Sequence, residues 1–302
     1  MMLDQRINGS TILTGLIGDP VEHTVSPVLH NSLFSCLGIN GIYIPLRTEK
    51  RNLAAVVGGL KAMGFAGFNV TIPHKEAILD FLDDADDEVK LLGTANTVKI
   101  KNGRLIGYNT DGTGFVDSFI KNTGTGFDGK SVCILGGGGT ARTLAVKIAA
   151  AGAKKIYIIN RTGPKAEDIA ERINDMFCGG KHDREYAVAA AVLPGTEEAH
   201  CSMNECDVVI NTTSVGMYPH IESSPVGDDV EFSSGTIVYD VIYNPAETRF
   251  LAKARMKGCK TCNGAGMLFC QGIRAFEIWM ETKVDTTVSD KLSATFLKYL
   301  EA

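Results

Sequence analysis

The chain has 302 residues, more than one hydrophobic core comfortably organises, so two domains are expected. Apolar residues make up 44%, which excludes a disordered chain, and a formal charge of −5 argues against a basic surface for nucleic acid. No apolar run reaches membrane-span length and the first six residues lack the regions of a secretory signal, so a soluble cytoplasmic protein without a membrane partner is expected.

In chain order, Thr11–Gly18 reads as a buried strand. Ser26-Pro27 opens a helix to about Leu37, with Ser26 as N-cap and Pro27 in the first turn. Gly41–Leu46 is a second strand, Asn52–Met63 a helix and Gly67–Thr71 a third strand. Lys75–Leu82 begins another helix, and Asp83–Glu88 reads as a solvated acidic turn leading into a further helical stretch. Thr97–Ile100 and Arg104–Gly107 flank Lys101-Asn-Gly103, a hairpin signal. This alternation predicts a mainly parallel α/β sheet with an antiparallel edge.

A helix over Gly112–Asn122 leads to the glycine-rich stretch 122–129, the best boundary. A second α/β unit follows, with strands at Lys130–Leu135, Lys155–Ile159, Asp207–Asn211 and Ile237–Val241. Residues 178–197 fit no clean pattern. Helices from Gly264 to Trp279 and from Ser289 to Leu300 are too short for a third domain, so they are expected to pack back onto one of the other two, which would make the first discontinuous. The eight cysteines are scattered, and Cys259-Lys-Thr-Cys262 lacks the second pair that a zinc site needs; small apolar packing is the simpler reading, and no metal is expected.

The most informative stretch is Asn69-Val-Thr-Ile-Pro-His-Lys75. A strand ends there by delivering Asn69, Thr71 and the Lys75 ammonium to one place, beside apolar sequence, where a lysine can exchange a proton near neutral pH. Alone, a lysine after a proline is usually an ordinary solvated residue. The second signal is Gly136-Gly-Gly-Gly-Thr-Ala141, between strand and helix, which fits GxGxxA. Gly136 permits the turn, Gly138 admits a pyrophosphate to the backbone, and Ala141 lets the helix, from about Ala141 to Ala151, pack on the strand. The next strand ends in Asn160 and Arg161, with Lys165 four residues on, where an NAD site would usually carry an acid. These cations suit a 2′-phosphate, so NADP is expected over NAD. Three further polar clusters lie at strand ends: His23-Thr-Val-Ser-Pro27, Gly93-Thr-Ala-Asn-Thr97 and Asn109-Thr-Asp-Gly112. Hydroxyls, a carboxamide, an ammonium and a carboxylate suit a small polyhydroxylated anion. His23, His30 and His74 have no metal-ligand spacing and are expected to pack or hydrogen-bond.

These stretches, with Asn211-Thr-Thr-Ser214, Tyr239-Asp-Val-Ile-Tyr243 and Gly264–Gln271, occur in the order found in the shikimate dehydrogenase family, which the chain closely resembles. The resemblance implies a reversible, NADPH-dependent reduction of 3-dehydroshikimate to shikimate, on the route to chorismate and the aromatic amino acids. It implies an N-terminal α/β substrate domain over residues 1–112 and 265–302, and a Rossmann NADP-binding domain over 113–264. Matched position by position, Lys75 and Asp111 become the catalytic pair. Thr24 and Ser26 fall on substrate-carboxylate contacts, Thr71, Asn96, Asp111 and Gln271 on ring hydroxyls, and Tyr243 on a further substrate contact. Gly136, Gly137, Gly138, Gly139, Thr140, Asn160, Arg161, Thr162, Lys165, Thr212, Val241 and Gly264 fall on cofactor contacts, as does Asp87, whose own surroundings read as acidic surface.

Thr24 stands where the family usually has serine, and its methyl crowds the carboxylate pocket. The nearest rival reading is a quinate/shikimate dehydrogenase that also uses NAD; Thr162-Gly163, without an acid after the Asn-Arg pair, favours NADP. A rival of another class is a non-catalytic ligand sensor, against which the intact Lys-Asp pair and glycine loop speak. Nothing in the pattern forces an oligomer, so a monomer or homodimer is expected.

Overall fold

A computed structural model describes residues 7–178 and 188–301. Two compact α/β units divide the chain. One runs to Thr110 and resumes over Phe269–Tyr299; the other is built on Asp111–Leu268.

The first unit begins with β1 (Ile12–Gly18), α1 (Ser26–Cys36), β2 (Gly41–Arg47), α2 (Leu53–Ala62) and β3 (Gly67–Val70). It continues with β4 (Asp84–Ala85), α3 (Asp87–Leu92), β5 (Thr97–Lys101) and β6 (Arg104–Tyr108). The strands lie in the order β2-β1-β3-β5-β6-β4. β1 is parallel to β2 and β3, whereas β5 is antiparallel to both β3 and β6. The antiparallel strand is therefore interior, and the expectation of an antiparallel edge is corrected. The cause is the hairpin. Asn102 (φ 53°) and Gly103 (φ 71°) turn the chain tightly, so β6 returns beyond β5, and β4 pairs parallel to β6 as the true edge. This geometry matters for the site, because the N-terminal end of β5 lies at the sheet edge where β3 and β6 finish: Thr97 pairs with Asn69 and Tyr108. Leu53, Val57 and Leu60 of α2 pack with Ile17, Phe68, Val70 and Val98 of the sheet to form the core.

Three local expectations are also corrected. Ser26 is not the N-cap of α1. Pro27 holds the first turn, Ser26 is already helical, and the cap position, Val25, makes no side-chain bond. The oxygen is supplied from further back, by Thr24 Oγ1 accepting from Ser26 N at 3.3 Å. Residues 75–82 do not form an α-helix; only a short 3₁₀ turn spans Ala77–Phe81. The Lys75 carbonyl, which a helix would bond to Leu79 N, instead accepts from Ala95 N, and Leu79 N turns to Glu76 O. Residues 83–88 are more than a solvated turn. Asp83 accepts from Leu105 N at 2.8 Å, and Asp86 caps α3 by accepting from Val89 N at 2.8 Å.

The second unit holds α4 (Asp111–Thr123), β7 (Ser131–Leu135), α5 (Gly139–Ala150), β8 (Lys155–Ile159), α6 (Gly163–Cys178) and β9 (Val188–Val192). It continues with α7 (Glu197–Glu205), β10 (Val208–Asn211), β11 (Ile237–Asp240), α8 (Arg249–Met256) and β12 (Lys260–Cys262). All six strands are parallel, in the order β12-β11-β10-β7-β8-β9. The strand order reverses between β7 and β10, the switch point where open sheets of this kind bind ligands. The stretch 178–197, part of which lies outside the described residues, contributes the edge strand β9 of small residues. The Asn174 side chain of α6 bonds both the N–H and the carbonyl of Ala189 there. Cys259 is buried in the core, its Sγ donating to Ser233 O at 3.4 Å. Among the described residues no helix is long and apolar enough to cross a membrane.

Helix α9 (Ala265–Met280) carries the chain from the second unit into the first, and α10 (Thr286–Glu301) follows. The first unit takes α9 from Phe269 and α10 as far as Tyr299. Trp279 Nε1 donates to Val98 O at 3.0 Å, and its indole occupies the space a side chain at Gly67 would need.

Candidate active site

In the first unit, the polar residues singled out in the sequence converge on one sheet edge. Thr24 and Ser26 lie between β1 and α1, half-buried, with Thr24 Oγ1 donating to Ser26 Oγ at 3.2 Å. Thr71 follows β3, its N–H bonded to Ile17 O at 2.9 Å, and its methyl fills the space that Gly18 leaves. Lys75 is half-buried four residues on. Its approach is fixed by His74, whose buried ring donates from Nε2 to Thr48 O at 2.6 Å. A carbonyl can only accept, so Nε2 is the protonated nitrogen of that ring.

Asn96, just before β5, is the centre of a buried network. Its Oδ1 accepts from Thr97 Oγ1 at 3.0 Å, from Thr110 N at 2.8 Å and from Thr110 Oγ1 at 3.2 Å. Its Nδ2 donates to Thr110 Oγ1 at 3.0 Å, and Thr110 Oγ1 reaches Gln271 Oε1 of α9 at 3.4 Å. Asn69, to which the sequence assigns no role, braces this group: Nδ2 donates to Asn96 O and Thr97 Oγ1. His30 is fully buried beneath, stacked on Tyr43 at 4.2 Å, and burial lowers its pKa to about 3, so the ring is neutral. It is a packing histidine, and His23 is exposed.

In the second unit, the glycine loop sits at the switch point. Gly136 has φ +121°, and a Cβ there would meet Thr212 Oγ1 at 2.5 Å, so glycine is required. Thr212 is itself pinned to the end of β7, its N–H and Oγ1 both donating to Leu135 O. Gly137 lies against Asn160, which turns inward to donate to Thr162 O at 2.9 Å. Gly138 faces open space, and α5 begins immediately after it at Gly139, with Thr140 in its first turn; the sequence placed that helix start two residues later. The loop therefore leaves room at the positive end of a helix, which fits a pyrophosphate. Arg161, Thr162 and Lys165 are exposed beside it, and neither cation forms an ion pair among the described residues. Gly264 packs on the Val241 carbonyl too closely for any side chain, joining two further predicted contacts.

Beneath these positions Asp240 is fully buried. Its carboxylate accepts from Asn211 Nδ2 at 3.0 Å, Ile242 N at 3.0 Å and Thr248 Oγ1 at 2.7 Å. Burial raises its pKa to about 6 against the opposing pull of these three donors. Asn211 Oδ1 in turn accepts from Thr213 N and Oγ1, so one carboxylate anchors the loops after β10 and β11 and the start of α8. Asp111 is buried at the first residue of α4, and Tyr243 is half-buried after β11, its phenol shifted upward by burial; both belong to the second unit. Asp87 is elsewhere, exposed in the first unit and 3.8 Å from Lys90.

The family model for the shikimate dehydrogenase substrate binding domain matches residues 16–98, and that for shikimate/quinate 5-dehydrogenase matches 119–221. A shikimate dehydrogenase (NADP(+)) from Alkaliphilus oremlandii (strain OhILAs) is 43% identical over 275 residues, 91% of this chain and 93% of that one. The chain belongs to the shikimate dehydrogenase family. A crystal structure of a shikimate dehydrogenase in complex with NADP+ is 38% identical, with a TM-score of 0.85 over 96% of this chain and 97% of that one. A shikimate 5-dehydrogenase from Listeria monocytogenes in complex with shikimate and NAD is 34% identical, with a TM-score of 0.86 over 97% and 99%.

For a shikimate dehydrogenase, the sequence reading overlooked the residues that hold the others. Thr97, Thr110, Asn211 and Asp240 lie inside the quoted motifs, and a polar residue in an otherwise apolar strand end was the available signal. Tyr43 lies outside every motif, on a strand where it reads as core.

Proposed function

We propose that the chain is an NADP-dependent shikimate dehydrogenase, interconverting 3-dehydroshikimate and shikimate. The observation that carries the reading is the pairing of functions in its two units: a cradle of hydroxyls, amides and one lysine in the first, and an open glycine loop flanked by the exposed Arg161 and Lys165 in the second. When bound, NADPH supplies the hydride that reduces the ketone carbon. Thr24 and Ser26 hold the substrate carboxylate with their hydroxyls, and Thr71, Asn96 and Gln271 take the ring hydroxyls, joined by Tyr243. As the carbonyl oxygen gains charge, the Lys75 ammonium stabilises it and delivers one proton, giving the alcohol. In the reverse direction Lys75 takes that proton back as a neutral amine, and Asp111 is the carboxylate that works with it. Gly136–Thr140 present N–H groups to the pyrophosphate, Asn160–Lys165 take the 2′-phosphate end, and Thr212, Val241 and Gly264 border the cofactor. Asp87 has no such support in its surroundings.

The test is direct. The purified protein is given shikimate and quinate, each with NADP+ and NAD+, and the reduced cofactor is followed by absorbance. The highest kcat/KM is expected for shikimate with NADP+. No turnover on shikimate, with cofactor binding intact, would overturn the proposal in favour of a ligand sensor.

A further inference from the structure

Tyr43 is held more firmly than a core tyrosine requires. Its ring stacks on His30 at 4.2 Å with the planes 16° apart. Its backbone is clamped from α1: Asn31 Nδ2 donates to Tyr43 O at 3.0 Å and Tyr43 N donates to Asn31 Oδ1 at 2.8 Å. The hydroxyl, fully buried, reaches Asn69 Oδ1 at 2.9 Å. Thus two adjacent residues of α1 serve to fix one phenol. Burial pushes that phenol far above its ordinary pKa, and the neighbouring Ser26 hydroxyl opposes the shift.

The donor order follows from chemistry. A carboxamide oxygen only accepts, so the Tyr43 O–H donates to Asn69 Oδ1. That bond and the Asn96 carbonyl, which accepts from Nδ2 at 3.2 Å, together fix the Asn69 amide, and Nδ2 also donates to Thr97 Oγ1 at 3.1 Å. Having accepted, Thr97 spends its one proton on Asn96 Oδ1 at 3.0 Å. Asn96 Oδ1 accepts also from Thr110 N at 2.8 Å, a backbone donor that fixes which end of the amide is the oxygen. We propose that Tyr43 is a positioning residue for the substrate cradle, bracing the Asn96 amide in place through Asn69 and Thr97. The assignment rests on Asn96 contacting a ring hydroxyl.

The experiment is a mutant cycle read as KM for shikimate and for NADP+. Tyr43→Phe keeps the ring stack and removes only the first donor. KM for shikimate is expected to rise about three- to tenfold, the effect of one lost hydrogen bond, with KM for NADP+ unchanged. Asn96→Ala alone should also raise KM for shikimate. In the double variant Tyr43→Phe should add nothing to Asn96→Ala, because its effect passes through that amide. Thr97→Val breaks the same relay without touching the phenol and should reproduce the rise, so it carries the test if Tyr43→Phe fails to fold. Multiplying factors in the double variant would overturn the relay while leaving the Asn96 contact standing. An unchanged KM for shikimate in Asn96→Ala would overturn the contact itself and the relay with it.

Discussion

The cradle of the first unit and the loop of the second hold their polar groups in opposite ways. Asn69, Asn96, Thr97 and Thr110 are buried and hydrogen-bonded to one another, so both amides have an assigned direction. The glycine loop instead presents backbone and empty space, and Arg161 and Lys165 stand exposed beside it. Ring hydroxyls must be read by direction, because a hydroxyl can donate or accept. A phosphate only accepts and carries charge, so exposed cations and a helix end suffice.

The sharpest way to test this division is to remove one charged group from each side. Lys75→Ala is expected to lower kcat by about a hundredfold or more, since no neighbouring hydroxyl replaces a positioned acid. Asp111→Asn should fall in the same range. Steady-state turnover of shikimate checks both, and near-normal kcat in either would remove it from the catalytic pair. Arg161→Ala is expected to raise KM for NADP+ about tenfold while leaving KM for NAD+ and for shikimate close to wild type, the loss of one charge-assisted bond to the 2′-phosphate. An equal loss with both cofactors would mean that Arg161 supports the loop and does not choose between them.

The same division decides what could be read before folding. The phosphate loop is a contiguous string, and each glycine's reason lies in local backbone geometry or a neighbour at the switch point. It was therefore legible. The cradle's contact residues were legible as strand ends, because Thr71, Lys75 and Asn96 sit where apolar runs stop. Their supports were not. Tyr43 meets Asn69 from 26 positions away, and Asp240 meets Asn211 from 29. Nothing in local spacing encodes a side chain's partner across a sheet. The helix expected over Lys75–Leu82 failed for the same reason: Ala95 N, distant in sequence, takes the Lys75 carbonyl.

The two regions should also part company in acid. His30 in the first unit is held neutral, with a pKa of about 3 against 6.5 when unfolded. A lowered histidine pKa means that the unfolded chain binds the extra proton, so its stabilisation is present above pH 6.5 and is lost as pH falls below it. Between pH 7 and pH 5 that loss is about 2 kcal/mol. His30→Phe, which keeps a ring against Tyr43, should abolish this part of the acid sensitivity in urea unfolding followed at both pH values.

Asp240 in the second unit has the opposite sign. Its folded pKa, about 6, lies above the ordinary carboxylate value of 3.8, so here the folded chain binds the proton more readily. The destabilisation it causes at neutral pH is relieved as pH falls through 6 toward 4, by about 1 kcal/mol between pH 7 and pH 5. Protonation need not break the anchor, because a protonated Oδ2 can donate to the Thr248 hydroxyl that previously donated to it. Hydrogen exchange resolves the units within one sample: at pH 5, amides of β1 and β3 should lose protection relative to pH 7 before those of β10 and β11. Asp240→Asn should remove the second unit's share of the difference. Equal loss of protection in both sheets would mean that the two units unfold as one, and that the buried histidine and the buried carboxylate act on a single shared equilibrium.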